Sequence, residues 1–401
     1  MSVIKLSECV GRIKESPTLA ITAKAARYKS EGKDIIGLAA GEPDFDTPQH
    51  IKDAAKKAID NGFTKYTPVS GIPSLKKAII EKFKRDNNLE YALNEVIVGV
   101  GGKQCVFNFC LAVLNSGDEV IIPAPYWVSY ADIALVSDAK PIIVECGIEQ
   151  KFKMTASQLE KVITPKTKLV ILNSPSNPTG AVYSKEELTS LADVLIKHPN
   201  ILIGTDDMYE HVKLKDMPFY NILNVNPALK DRCVVMNGVS KAYSMTGWRI
   251  GYAAGPSYII KAMEILQSQS TSNPTSISQV AAEAALSGDQ SCMDPMIKAF
   301  RERHAYVVKS FNEIPGLSCI EAEGAFYAFP DARKAIEHLF NQKVLKEKTD
   351  LALADYLLEK EGVAVVPGSA FGSDGYFRIS FATSMENLIE AMKRIKRALS
   401  V

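Results

Sequence analysis

In the stretch Asn237-Gly-Val-Ser-Lys241-Ala-Tyr-Ser-Met-Thr-Gly-Trp-Arg249, a lysine sits among small and hydroxyl residues and an arginine follows eight positions later. Lysine is almost never buried without a partner. In a dry site its amine loses proton affinity and becomes a nucleophile toward carbonyl carbon. The planar guanidinium of Arg249 offers a fork of donors suited to a phosphate. Together they point to a Schiff base between Lys241 and pyridoxal phosphate, with Arg249 on the phosphate. An isolated Ser-Lys in a turn would read as a surface lysine, so support has to come from elsewhere in the chain.

That support lies in the elements that would position the pair. From residue 96 to 288, β-rich apolar runs alternate with helical stretches, the runs falling at 95–100, 118–123, 140–145, 167–173, 200–206 and 232–237. A further short buried run follows at 250–255. Continuous apolar strands separated by helices predict an α/β fold with a mostly parallel sheet covered on both faces. Such a sheet binds ligands beyond the carboxyl ends of its strands. The residues just past each strand are therefore the informative ones.

After the first strand, Gly99-Val-Gly-Gly-Lys-Gln104 opens a helix. It misses the dinucleotide fingerprint at Gln104 and the P-loop at Ile97 and Gln104. What remains is a glycine-rich helix N-terminus, whose free N–H groups and dipole can hold a phosphate. Pro125-Tyr126-Trp127 follows the second strand, and the Trp127 ring suits either a core or the face of a flat cofactor. After the fourth comes Asn173-Ser-Pro-Ser-Asn177-Pro-Thr-Gly180, a rigid loop that fixes an asparagine amide in space. Asp206-Asp207-Met-Tyr209-Glu210 follows the fifth, and an acid ending a buried strand is costly unless partnered. Each motif alone is an ordinary turn or core element. Their common place at one sheet edge is the argument.

The 401 residues contain 47 Lys plus Arg against 46 Asp plus Glu, which gives no charge excess for nucleic acid or a membrane surface. Residues 1–10 lack the apolar core of a signal peptide, and no apolar run approaches the roughly 18 residues that span a bilayer. Seven scattered cysteines form no CxxC pair and fit a reducing compartment, so the expected location is cytoplasmic. No Cys/His cluster at metal spacing and no G-x-S-x-G elbow occur, and no metal is expected.

From about residue 290 the pattern becomes helices mixed with short strands, including 316–320, 324–329, 362–368 and 376–381. The length suggests two domains. The expected division is residues 1–47 as an N-terminal segment packing on a small domain, 48–290 as a large domain, and 291–401 as a smaller α+β domain. Residues 34–40 read as a strand and the charged residues 332–348 as a surface excursion. Arg378, alternating in a strand with Phe377 and Ile379, is either an exposed arginine or a carboxylate clamp.

Along essentially its whole length the chain resembles the class I pyridoxal-phosphate aminotransferases of fold type I. Among them it is similar to the bacterial aspartate aminotransferases of the Ib subgroup. The carriers are Gly41-Glu-Pro-Asp-Phe-Asp, Gly101-Gly-Lys-Gln, Pro125-Tyr-Trp, Asn177-Pro-Thr-Gly, Asp206 with Tyr209, Ser240-Lys241 through Arg249, and Phe377-Arg378-Ile-Ser. The resemblance implies that Lys241 holds the cofactor and then shuttles a proton. Asp206 would pair with the pyridinium nitrogen. Tyr209, reinforced by Asn177, would hold the phenolic oxygen, and Trp127 would stack on the ring beside the substrate. The N–H groups of Gly101, Gly102 and Lys103 would grip the phosphate with Arg249, and Tyr66 would reach it from a neighbouring subunit of a homodimer. Arg378 and Asn177 would clamp the substrate α-carboxylate, with the backbone near Gly41 closing over it.

Two departures stand out. Some relatives carry a hydroxyl three residues before the lysine, where this chain has Gly238, which leaves Ser240 as the substitute. Some aspartate enzymes read the distal carboxylate with an arginine near the segment corresponding to Ser270-Thr-Ser-Asn-Pro274, and none is there. In the Ib subgroup that role corresponds to Lys103, with the hydroxyls of Ser16 and Thr18. The implied reaction is a ping-pong exchange between L-aspartate and 2-oxoglutarate. Prephenate or aromatic substrates are the near alternative, and a cofactor-binding regulator or a nucleotide-binding protein the distant ones.

Overall fold

The computed structural model describes Ile4, residues 6–13, Glu15 and residues 17–400. Seven strands form the central sheet: β2 (Val96–Gly99), β3 (Glu119–Ala124), β4 (Lys140–Glu145), β5 (Thr167–Asn173), β6 (Leu202–Asp206), β7 (Cys233–Gly238) and β8 (Gly251–Ala254). Their spatial order is β2-β8-β7-β6-β5-β3-β4. Every pairing is parallel except the two made by β8. The apolar runs explain this layering. Along β5, Leu169 and Ile171 enter one core while Val170 and Leu172 enter the other, so both faces need apolar side chains and both are covered.

The remaining strands are short. β1 (Ile36–Gly37) pairs in parallel with β10 (Val363–Ala364), and β11 (Val366–Pro367), β12 (Phe377–Ser380) and β9 (Tyr327–Ala328) make an antiparallel sheet in the order β11-β12-β9. Apart from β11, whose Val366 packs in a smaller cluster, these strands share a separate core with the helices Asp294–Asn312, Asp350–Glu361 and Met385–Leu399. The last helix buries Leu388, Ala391, Met392, Ile395 and Ala398, the spacing of one helical face.

Three expectations are corrected. The strand read over residues 34–40 is only Ile36–Gly37, because beyond it the chain turns from β10 toward the cavity described below. Residues 316–320 form no ladder, and only Ser318 bridges to Asp331. Residues 332–348 are no mere excursion: the helix Arg333–Asn341 buries Ala335, Ile336 and Leu339, and Leu345 is buried behind it. Three apolar positions on one helical face anchor a segment whose overall charge hid them.

Candidate active site

The carboxyl ends of β5, β6 and β7 converge on a cavity of about 260 Å³ whose far wall is Arg378 from β12. Lys241, Asp206, Tyr209, Asn177, Trp127, Gly102, Lys103, Ser240, Arg249, Arg378, Gly41 and Thr18 all face it. Tyr66 is 92% exposed and lies outside it. Ser16 lies outside the described residues.

Lys241 follows β7 and its Nζ donates to the Gly41 carbonyl at 2.5 Å. The protein packed around it lowers its pKa to about 8: burial is the largest cause, Arg249 and Arg378 add to it, and Glu42 and Asp206 oppose it. Asp206 ends β6 and is buried. Burial raises its pKa, against the Tyr130 hydroxyl donating to Oδ2 at 2.6 Å and the Met208 N–H donating to Oδ1 at 3.2 Å. Its neighbour Asp207 accepts from Asn221 at 2.6 Å and does not line the cavity, so the pair Asp206-Asp207 divides its work. Tyr209 meets the hydroxyl of Tyr327 at 2.8 Å.

The Asn177 loop is lashed to the sheet. Asn173 donates from Nδ2 to the Asp206 carbonyl at 2.8 Å and accepts the Asn177 N–H at 2.9 Å. Asn177 Oδ1 in turn accepts from Arg378 Nη1 at 2.9 Å, and Nη2 reaches the Ala39 carbonyl at 2.6 Å. Arg378 is only 2% exposed, so the exposed-arginine reading falls. Its Nε has no partner among the described residues.

At the other end, the helix Gly102–Val113 points its N-terminus at the cavity with no side-chain cap. Gly101 holds φ 79°, which disfavours other residues, and a Cβ there would lie 2.4 Å from Arg249 Nη2. Its N–H, expected on the phosphate, is instead donated to the Gly99 carbonyl at 2.9 Å, and Gly101 does not line the cavity. The tight turn needed to start the helix uses that donor. Arg249 itself sits at φ 58° and donates to the Thr246 carbonyl at 2.9 Å. Lys103 lies at the rim with its Nζ 5.1 Å from the Trp127 ring, and burial lowers its pKa, with Arg249 adding to the effect.

Sequence reasoning missed Tyr130, Tyr327, Asn173 and Met208, which also line the cavity. Tyr130 stands just inside the helix Ser129–Val136, three positions after Trp127, and its ring packs edge-on against the Trp127 ring at 5.3 Å. Tyr327 reaches in from a remote strand and carries no local signal.

The model of the family described as aminotransferase class I and II matches residues 33–395. The chain belongs to that family. An aspartate/prephenate aminotransferase of Nitrosomonas europaea is 64% identical over 397 residues, covering 99% of this chain and 100% of its own length. One from Cereibacter sphaeroides is 54% identical, with 98% of each chain covered. Among solved structures, an aspartate aminotransferase from Rhizobium meliloti superposes with a TM-score of 0.94 at 48% identity, covering 99% of both chains. One from Thermus thermophilus with maleate gives 0.92 at 40%, covering 99% of this chain and 100% of the other. The fold is accordingly that of the fold type I transferases, and the chain is a pyridoxal-phosphate-dependent aminotransferase.

The cavity fits that cofactor. It offers a lysine amine of lowered pKa for the carbonyl, a buried carboxylate for a ring nitrogen, and an uncapped helix N-terminus with Arg249 for the phosphate. Among the described residues no helix is long and apolar enough to cross a membrane.

Proposed function

We propose that the chain exchanges the amino group of L-aspartate with 2-oxoglutarate or prephenate, through Lys241 and pyridoxal phosphate. One observation carries this reading: Arg378 and Lys103 both face the cavity that holds Lys241. Two cations across one amine suit substrates with two carboxylates, and all three of these compounds have two. The names of the relatives from Nitrosomonas europaea and Cereibacter sphaeroides agree with it.

The cofactor, when bound, supplies an electron sink for the carbanion left when a proton leaves the substrate Cα. The protein's residues do the rest. Asp206, held by Tyr130 and the Met208 N–H, keeps a proton on the ring nitrogen. Tyr209 donates to the phenolic oxygen. Trp127 would lie against the ring, and Gly102, Lys103, Ser240 and Arg249 would hold the phosphate. Lys241, once free, is the base that takes the Cα proton and returns it on the other side of the exchange. Arg378 and Asn177 grip the α-carboxylate near the backbone of Gly41, and Lys103 with Thr18 and Ser16 reads the distal one.

The working form in this proposal is a cytoplasmic homodimer, with Tyr66 reaching the partner's phosphate site. Its division into an N-terminal segment (1–47), a large domain (48–290) and a small domain (291–401) belongs to the same reading. Donor and acceptor profiles of wild type and Lys103→Ala test it. Dicarboxylates should lead in the wild type, and Lys103→Ala should lose mainly that preference. A variant that slows every substrate equally would show that Lys103 serves the cofactor alone.

A further inference from the structure

Three cavity-lining side chains form a line that links the end of a central-sheet strand to the small sheet. Tyr209 follows β6 of the central sheet, while Tyr327 lies on β9 of the small sheet, and their hydroxyls meet at 2.8 Å with rings 5.7 Å apart at 74°. Arg378, on the adjacent strand β12, places its guanidinium 4.5 Å from the centre of the Tyr327 ring. Tyr327 is 1% exposed and Tyr209 5%, so water does not compete for this bond. The Tyr327 hydroxyl also lies against Gly41, where an added Cβ would come within 2.9 Å of it.

Resting on the roles given above to Tyr209 and Arg378, we propose that Tyr327 is a positioning residue. It donates its hydroxyl proton to Tyr209 and thereby couples the carboxylate clamp at Arg378 to the cofactor's phenolic oxygen. A hydroxyl has one donor and two acceptor lone pairs, so Tyr209 can accept from Tyr327 while turning its own O–H to the cofactor. Successive hydrogen bonds polarise one another, which makes Tyr209 the stronger donor. A cation over a ring withdraws electron density from it and sharpens the hydroxyl as a donor. A carboxylate arriving at Arg378 offsets that charge, so occupancy of the clamp is felt at Tyr209.

The charged and titratable groups facing this pair are Arg378 from β12, Asp206 from β6 and Tyr130 from the helix Ser129–Val136. Lys241 lies beyond them, itself facing Glu42, Arg249, Arg378 and Asp206. Burial raises both tyrosines, the bond between their hydroxyls raises Tyr209 and lowers Tyr327, and Arg378 pulls both down.

The test compares wild type, Tyr209→Phe, Tyr327→Phe and the double variant, each loaded with pyridoxal phosphate. The absorbance of the bound cofactor is titrated against pH, with and without maleate, a dicarboxylate that has no amino group to transfer. Tyr327→Phe keeps the ring and loses the donor. Its midpoint should move in the same direction as that of Tyr209→Phe, by roughly half a unit to one unit, the scale of one hydrogen bond. It should add nothing to Tyr209→Phe, and the displacement caused by maleate should shrink in it. A Tyr327→Phe protein that titrates as wild type overturns the proposal, even with a lowered unfolding temperature, because the role is then structural. Independent, additive displacements overturn it as well. A Tyr209→Phe protein that titrates as wild type would instead bring down the assignment of Tyr209 on which the proposal rests.

Discussion

Lys82 and Lys241 are both enclosed by protein, and they differ in what meets the amine. Lys82 is 0% exposed; its Nζ donates to Asn87 Oδ1 at 2.6 Å and pairs with Glu210. Glu210 is held in turn by Asn87 at 2.5 Å and Asn237 at 2.8 Å. Lys241 meets a carbonyl, and among the described residues no carboxylate forms an ion pair with it. A buried cation with a carboxylate partner is a fixed structural charge. Without that partner the neutral amine is favoured, and the neutral amine attacks carbonyls. The same contrast explains why Asp86, Glu210 and His211, whose ligand atoms lie within 4.8 Å of one another, read as a closed structural cluster. The Lys82 ammonium already supplies its cation.

The contrast can be broken from either side. Lys241→Ala should cut kcat for aspartate and 2-oxoglutarate by on the order of ten-thousandfold while the circular dichroism stays that of the wild type. Lys82→Met should leave kcat per folded molecule within a few-fold but lower unfolding stability by about 3–5 kcal/mol in urea titrations, since it strands Glu210. Lys82→Met/Glu210→Leu should lose less than the single variant. Arg378→Lys, which removes a fork held between Asn177 and Ala39, should lower kcat/KM for dicarboxylates roughly a hundredfold, with most of the loss in KM. The smallest effect is one of pH. Because burial depresses the Lys241 pKa to about 8, the amine is charged below that pH and neutral above it. Capture of pyridoxal phosphate by the cofactor-free protein should therefore quicken about tenfold per pH unit up to pH 8 and level off above it. A plateau beginning only near pH 10 would mean that the site does not perturb the lysine.

Much of this arrangement was legible because burial on both faces writes itself into each strand. The centres of the runs at 167–173 and 232–237, residues 169–172 and 233–236, are apolar without interruption, and the rule about strand ends then leads directly to Asn177, Asp206 and Lys241. The pattern also separates the sheet from the second core, where the strands are two to four residues long. It fails where a role depends on contacts between distant segments. Tyr327 sits between Phe326 and Ala328 in a run that is buried throughout, and only the folded chain brings it to Tyr209. Lys82 belongs to an unremarkable helix, Pro73–Asn87, and its partner lies 128 residues away. Gly101 carries a second requirement that the sequence does not display: its glycine is demanded by backbone geometry and a close arginine.

The most direct test is to load the protein with pyridoxal phosphate, reduce it with borohydride and locate the added mass by peptide mass spectrometry. The account predicts one modified lysine, Lys241, with Lys82 untouched. A label on Lys82, Lys103 or any other lysine while Lys241 stays free would contradict it.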